Sequence, residues 1–275
     1  MTAIPVSAAP GADGPAATAR RLGNETGKGL LLMWRRRGLV ASAIVTGAAE
    51  YPLFRFLIGG GHITRAMVAV TLPALVALAA AKNAAIQGSG GIAEEVNGGT
   101  LEQAQLSPSR PTLLVLGRLG ALATEGLISA AVLGLAFGLG YRVHYTVPPD
   151  VLVPVLLTIG DALGYALLII GLTLRFASIG AITHVFNMVI MFFGGLLIPV
   201  SVFPLGVEIF ARFLPTTLGV EVLNTTLAGR GLGPAWSDGT LPWLIAHTAV
   251  LAGLGWIIYL HTLRRARREG GLSPR

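Results

Sequence analysis

Apolar residues in this chain are gathered into long runs, and polar residues are confined to the short stretches between them. A run of about 20 apolar residues can cross the ~30 Å hydrocarbon layer of a bilayer as an α-helix. The runs are too long and too continuous for the alternating strands of a barrel. The pattern therefore predicts an all-α integral membrane protein with six transmembrane helices, over residues 38–59, 66–86, 112–139, 151–174, 179–200 and 241–261.

The first of these spans has the weakest pattern, because Glu50, Pro52 and Arg55 interrupt its apolar residues. Ionisable residues inside a span are costly and need a partner. Glu50 and Arg55 are five residues apart, which suggests that they pair with each other near the outer interface. That pairing would be a structural role.

Two segments precede the first span. Residues 1–18 are rich in Ala, Pro and Gly and have almost no large side chains, which is typical of a disordered arm. Residues 19–37 mix basic residues with Leu30, Leu31 and Leu32. This mixture predicts an amphipathic helix in the inner interface, anchored by Trp34, Arg35, Arg36 and Arg37. An ordinary positively charged flank of the first span is the alternative.

Composition supports the membrane class. Hydrophobic residues make up 53% of the 275 residues, charged residues 12%, and the mean hydropathy is +0.71, whereas a soluble domain is about a quarter charged. The net charge is +7, and most basic residues fall on the side of both termini. The positive-inside rule then predicts a protein of the inner (plasma) membrane with both termini cytoplasmic. We interpret the positive charge as a signal of membrane topology and as a means of contact between basic residues and membrane lipids. We expect no nucleic-acid partner.

Several kinds of chemistry have no support in the residues. The chain has no cysteine, and its five histidines are scattered without the i, i+4 spacing of a metal-binding pair. A phosphate-binding loop needs a lysine followed by Ser or Thr, but Lys28 precedes Gly29 and Lys82 precedes Asn83. We therefore predict no enzyme activity, no metal and no cofactor in this chain. ATP-driven work would have to come from another polypeptide.

An acidic, polar segment between the second and third predicted spans, residues 91–108, is the most informative part of the chain. It places the carboxylates of Glu94, Glu95 and Glu102 just outside the bilayer. Gly98 and Gly99 would end a first helix, and Thr100 would cap a second one. A short rigid helix with carboxylates can dock against arginines of a partner. The alternative is a solvated acidic loop that prevents wrong insertion.

Residues 92–111, with the sequence Ala-Glu-Glu-Val-Asn-Gly-Gly-Thr-Leu-Glu near their start, and Leu116-Gly-Arg-Leu119 resemble the E-loop of ABC-2 type transporter permeases. These are the membrane subunits of ATP-binding-cassette exporters, and the closest resemblance is to drug-resistance permeases of the daunorubicin type. Phe193 to Pro204, followed by Phe-Leu-Pro-Thr-Thr, is similar to the end of the fifth helix and the outer hairpin of that family.

The resemblance implies one transmembrane domain over residues 19–275. It also implies a coupling helix that contacts a separate ATPase, formed by Glu94, Glu95, Gly99, Thr100, Leu101, Glu102 and Gln103. ATP and Mg would bind to two copies of that ATPase, and the permease would pair with a second copy of itself.

Two further groups of residues are candidates for the transport pathway. Residues 201–240 are unusually apolar for an exposed loop, and prolines divide them into two short helices, which favours a re-entrant hairpin in the outer leaflet. Its marker residues are Pro199, Pro204, Phe210 and Pro215. Polar residues inside the spans, Glu125, Asp161, His184 and Asn187, would face a polar cavity or the subunit interface, or else form packing hydrogen bonds. Arg118 and Arg175, near the inner ends, are expected to snorkel.

These observations predict a permease subunit that exports a hydrophobic or amphipathic substrate, such as a drug or lipid. A lipid-linked polysaccharide is the alternative cargo. A stand-alone proton-coupled transporter using Glu125 and Asp161, or a membrane anchor for a signalling partner, is the alternative of a different class. The acidic segment argues against the stand-alone carrier, because a self-sufficient carrier does not need it.

Overall fold

The structure is a computed structural model that describes residues 14–98, 111–145, 147–176 and 180–268, and this part of the chain is helical without strands. Short 3-10 turns and a π-helical turn (Thr226–Arg230) join some of the helices. The helices are α1 (Pro15–Arg35), α2 (Arg37–Ile58), α3 (Arg65–Asn97), α4 (Pro111–Gly140), α5 (Leu152–Arg175), α6 (Gly180–Phe193), α7 (Leu205–Arg212), α8 (Thr217–Thr225), α9 (Gly233–Ser237) and α10 (Thr240–Arg268).

Four of the described helices are long and apolar enough to cross a membrane, which confirms a multi-pass, all-α membrane protein. These segments are Arg65–Val96, Thr112–Gly140, Pro149–Arg175 and Thr240–Arg265. The predicted count of six is not confirmed. α2 is 22 residues long but contains charged residues, and α6 has an apolar stretch only from Ile182 to Phe193.

α6 is shorter than the predicted span over residues 179–200 because a glycine pair follows Phe193. Gly195 has φ +87°, a left-handed conformation that no continuing helix allows. The described helix of 14 residues is about 21 Å long at 1.5 Å per residue. It therefore falls short of the ~30 Å hydrocarbon layer.

α3 continues well beyond the predicted span over residues 66–86. Its 33 residues extend over about 50 Å, so its last turns project past the hydrocarbon layer. The first part of the acidic segment is therefore the end of this helix. α3 ends at Asn97, and the backbone N–H of Gly98 donates to the carbonyl of Glu94 at 2.8 Å.

Small residues bring the long helices close together. A Cβ on Gly126 of α4 would lie 3.3 Å from Ala80 Cα on α3, and a Cβ on Gly164 of α5 would lie 2.7 Å from the backbone nitrogen of Ala252 on α10. Helices in lipid gain most of their association energy from such close backbone packing. The largest buried cluster lies between α2, α3, α4, α5 and α6, and includes Tyr51, Leu72, Leu133, Ile169 and Ile190.

The arrangement gives the bundle two chemically different ends. The basic end contains the junction of α1 and α2, the end of α3 and the beginning of α4, where Arg36, Glu94 and Arg118 meet. The hairpin end contains the beginnings of α3, α5 and α10 together with α7, α8 and α9. There Arg65 lies 3.3 Å from the ring of His144, which follows α4.

Candidate functional site

The candidate site at the basic end is a cluster of four charged residues, Arg36, Glu94, Glu95 and Arg118, which we call the coupling cluster. Glu94 and Glu95 are consecutive residues of a helix, so their side chains point about 100° apart. Arg36, between α1 and α2, donates to Glu94, and Arg118 of α4 donates to both carboxylate oxygens of Glu95. The end of α3 is therefore tied to two other parts of the bundle.

The two ion pairs differ in their exposure. The side chains of Arg118 and Glu95 are 24% and 27% exposed, whereas that of Glu94 is 58% exposed. Because water screens the charges, an exposed ion pair stabilises a protein by only about 0–1 kcal/mol. The pair of Glu95 and Arg118 should therefore stabilise the structure more than the pair of Glu94 and Arg36. Arg118 binds Glu95 on the neighbouring helix, and the expectation that it snorkels to the membrane surface stays a prediction.

α1 extends the coupling cluster by packing on the first turns of α4. A Cβ added to Gly117 would lie 2.4 Å from Glu25 Cβ, and one added to Gly29 would lie 2.4 Å from Ala121 Cβ. These glycines let the two backbones meet, and any larger side chain would separate them. α1, α3 and α4 are thus fastened together at the basic end.

The anchor residues at the end of α1 are only partly in contact with the bundle. Trp34 is 63% exposed, and the guanidinium carbon of Arg37 lies 5.7 Å from its ring centroid. An exposed indole beside Arg35, Arg36 and Arg37 has the composition of a membrane-interface anchor. The position of α1 in the bilayer stays a prediction.

Only part of the predicted coupling helix lies within the described residues. Glu94 and Glu95 belong to α3, whereas Gly99, Thr100, Leu101, Glu102 and Gln103 lie outside the described residues. The predicted second helix therefore stays a prediction.

The four polar residues predicted to line a pathway do not converge on one cavity in the described part of the chain. Glu125 is buried in α4, and its Oε1 has no hydrogen-bond partner among the described residues. Asn187 is buried and accepts from the hydroxyl of Tyr165 at 3.2 Å, while His184 is exposed on α6. Asp161 is 1% exposed and contacts residues of the hairpin end.

The expected pairing of Glu50 with Arg55 was wrong. Residues five apart lie about 140° apart around a helix, whereas residues three or four apart are neighbours. Glu50 instead accepts from Lys82 of α3 at 3.2 Å, beside a cavity of about 30 Å³. Arg55 points the other way, is 3% exposed and donates to the carbonyl of Leu196 at 2.7 Å.

Replacing Lys82 by methionine should lower the free energy of unfolding by about 1–2 kcal/mol, because Glu50 would lose its partner between two helices. The double variant Glu50→Gln/Lys82→Met should recover most of that loss, since no charge is left unpaired. Denaturation of both variants in detergent checks this. Equal stability of the single and double variants would contradict the ion pair.

The predicted outer hairpin contains two short helices in the structure. Pro204 precedes α7, Pro215 lies between α7 and α8, and Pro199 precedes the turn Val200–Val202. The ring of Phe210 lies 5.7 Å from that of Phe193, at the end of α6. Whether this hairpin enters the outer leaflet stays a prediction.

Charged residues of the hairpin form a small network. Arg212 lies 3.0 Å from Glu208 and 3.5 Å from Glu221. Burial raises the pKa of Glu221, and the neighbouring Arg212 partly opposes this effect. The network links α7 to α8 and so holds the two short helices as one unit.

One residue of the hairpin end, His247, had no predicted role. Its ring lies 2.8 Å from the Asp161 carboxylate and 3.1 Å from the carbonyl of Phe213. A signal was present in the sequence, because Asp161 and His247 lie at similar distances from the inner ends of their predicted spans.

Comparison with known proteins adds one match. A family model described as ABC-2 type transporter matches residues 26–227, which is more than half of the 275 residues. The matched part begins within α1 and ends in the π-helical turn after α8. No curated protein matches the chain.

Proposed function

This chain belongs to the ABC-2 type transporter family, and on that premise we propose that it is the permease subunit of an ATP-binding-cassette exporter. A separate ATPase subunit supplies the energy. The permease moves a hydrophobic or amphipathic substrate, a drug or a lipid, from the cytoplasmic side outward. ATP and Mg bind to the ATPase and not to this chain.

The coupling cluster is the observation that supports this proposal most directly. Glu94 and Glu95 stand at the end of a 33-residue helix, immediately before the segment that would contact the ATPase. Their ion pairs with Arg36 and Arg118 join that end to α2 and α4. A force applied to the segment after Asn97 would therefore move three helices together. A movement of packed helices of this kind can switch a cavity between inner and outer access.

The proposed assembly contains two permeases and two ATPases. One copy of the chain supplies half of a pathway, and each copy contacts one ATPase through its basic end. The concentration of basic residues there, including Arg36, Arg118 and Arg264, supports a position of this end on the cytoplasmic side of the inner (plasma) membrane. Both termini then lie in the cytoplasm as well.

The apolar side chains that the helices present support a hydrophobic or amphipathic cargo. The outward surfaces of α2 and α6 carry large apolar side chains that are about half exposed: Leu53, Phe56, Leu57, Val185, Phe186 and Met188. Apolar and aromatic walls with a few polar groups are typical of sites for amphipathic ligands. A stand-alone proton-coupled carrier is less well supported, because Asp161 binds Thr216 and His247 at the hairpin end, whereas Glu125 Oε1 has no hydrogen-bond partner among the described residues.

The proposal is tested by reconstituting the chain in liposomes with the ATPase that co-purifies with it. We expect apolar and amphipathic compounds to stimulate ATP hydrolysis at least about two-fold over the unstimulated complex, while lipid-linked polysaccharides do not. Complexes with a hydrolysis-deficient ATPase are the control. Stimulation only by lipid-linked polysaccharides would show that these, and not drugs or lipids, are the cargo. Transport by the chain without any ATPase would overturn the proposed function.

A further inference from the structure

A buried carboxylate and a histidine face each other near the hairpin end of the bundle. Asp161 of α5 is 1% exposed, and the His247 side chain of α10 is 11% exposed. Asp161 Oδ1 lies 2.8 Å from His247 Nδ1. We call this pair the Asp161–His247 dyad. A buried ionisable group persists only where its surroundings satisfy its hydrogen bonds.

Both members of the dyad also bind the connection between α7 and α8. The backbone N–H of Thr216 donates to Asp161 Oδ2 at 2.6 Å, and His247 Nε2 lies 3.1 Å from the carbonyl oxygen of Phe213. Thr216 has φ +68°, a left-handed conformation that is unusual for a β-branched residue. Such a conformation persists only when its surroundings hold it. The dyad therefore fastens a strained turn to α5 and α10.

When Asp161 is ionised and the His247 ring is neutral, the dyad has one proton too few to form all of its hydrogen bonds. Both ring nitrogens of His247 face oxygen atoms, one from a carboxylate and one from a carbonyl. An ionised carboxylate and a backbone carbonyl can only accept, while a neutral imidazole has a single N–H to donate. Both bonds form only when His247 is doubly protonated, or when Asp161 carries the proton and donates it to Nδ1.

Other titratable groups lie on the elements around the dyad. Arg212 binds Glu208 and Glu221 on the hairpin. Asp238, just before α10, accepts from the backbone N–H of Thr240, which lowers its pKa. Asp150, before α5, lies in the same region near Gly231. The direct partners of the dyad are thus Thr216 and Phe213.

We propose that the Asp161–His247 dyad is a binding site for one proton, and that the bound proton fastens the outer hairpin to α5 and α10. Loss of the proton removes one of the two dyad hydrogen bonds of His247. If the remaining ring proton stays on Nδ1, the bond to Phe213 is lost, Asp161 and Thr216 keep the one hydrogen bond between the dyad and the turn, and the strained turn opens more readily. The inference rests on the geometry of the hairpin end and stands whether or not the chain exports a cargo.

The protonation state can be read directly from the nitrogen atoms of the ring. The chain, labelled with ¹⁵N-histidine in lipid nanodiscs, should give a His247 signal of either a doubly protonated ring or a neutral ring with the proton on Nε2. The signal is assigned by its absence in His247→Gln. A neutral ring with its only proton on Nδ1 at about pH 6 would overturn the proposal.

Opening of the hairpin can be measured by the labelling rate of an introduced cysteine, because the chain has no cysteine of its own. Thr217 is fully buried and its hydroxyl has no partner among the described residues, so Thr217→Cys reports on opening. Leu205→Cys, at a position that is 73% exposed, corrects for the effect of pH on the thiol reaction. The ratio of the two labelling rates should rise about ten-fold between about pH 6 and pH 10, because a hydrogen bond to a charged group contributes at least that factor.

Two variants of the dyad distinguish the effect of the bound proton from a general destabilisation of the hairpin. In Asp161→Asn, the amide oxygen still accepts from Thr216, and the amide N–H donates to His247 Nδ1, so Nε2 can donate to Phe213 without an added proton. This variant should keep the labelling ratio low at every pH. His247→Ala should raise the ratio about ten-fold at every pH. A pH dependence in Asp161→Asn equal to that of the parent, or no pH dependence in the parent, would overturn the proposal.

Discussion

Reversing the charge of Glu95 should abolish ATP-driven transport, with a loss of at least about ten-fold, while the chain still inserts into the membrane. In Glu95→Arg, two cations would face each other at the end of α3, because Arg118 is already there. Repulsion at a partly buried site costs more than the loss of an exposed ion pair. The end of α3 would separate from α4, and a force from the ATPase would no longer reach that helix.

The charge swap distinguishes an internal contact from a contact with the ATPase. Arg118→Glu alone should lose transport to a similar extent, and the double variant Glu95→Arg/Arg118→Glu should recover at least half of it. Recovery requires that the two side chains interact with each other. If the double variant stays as inactive as Glu95→Arg although the ATPase still co-purifies, Glu95 contacts the ATPase directly. The role assigned to the pair would then be wrong.

A matched control is available at the same end of the bundle. Lys28 is 60% exposed and pairs with Glu25 one turn away on α1. Lys28→Gln should change transport by less than about two-fold, because an ion pair within one helix transmits nothing between helices. Efflux is measured in inverted vesicles, with the amount of inserted permease determined for each variant. A large loss in Lys28→Gln would show that any change of charge at this end disturbs transport.

The described long helices could be predicted from the sequence because lipid leaves the chain few alternatives. Backbone groups in the hydrocarbon layer must bond within their own segment, so an apolar run of sufficient length becomes a helix. Hydropathy does not report where such a helix ends. The left-handed Gly195 shortens α6, and the helical conformation of residues 91–97 lengthens α3, although neither change alters the apolar pattern.

The candidate site was predictable only as a set of residue types. Carboxylates at Glu94 and Glu95 stand out in an apolar chain, but their partners, Arg36 and Arg118, lie far away in the sequence. Local spacing gave the wrong partner for Glu50, since a residue on another helix was closer in space. To find partners on other helices, the depth of each residue in the membrane must be known as well as its position in the sequence. Counting residues from the inner ends of the spans would have placed Asp161 and His247 at a similar depth.

The pairing of α5 with α10 depends on glycine more than any other contact in the described part of the chain. A Cβ on Gly255 would lie 2.5 Å from the carbonyl oxygen of Gly164, and one on Gly171 would lie 2.9 Å from the backbone nitrogen of Tyr259. The atoms that would be struck belong to the backbone of the neighbouring helix and cannot rotate away. Any side chain at these positions must push the two helices apart.

Gly255→Val should therefore lower the free energy of unfolding by about 3 kcal/mol or more, and much of the protein should fail to fold in the membrane. Gly253→Val is the control, because Gly253 lies two residues away on the same helix with nothing within 4 Å of an added Cβ. Both substitutions replace glycine by valine inside a helix, so the change in helix propensity cancels between them. Thermal unfolding in detergent, followed by size-exclusion chromatography, measures the difference. Equal midpoints for the two variants would show that α5 and α10 do not meet at Gly255. The dyad between these two helices would then lose its structural basis as well, because Asp161 and His247 face each other only while α5 and α10 are in contact.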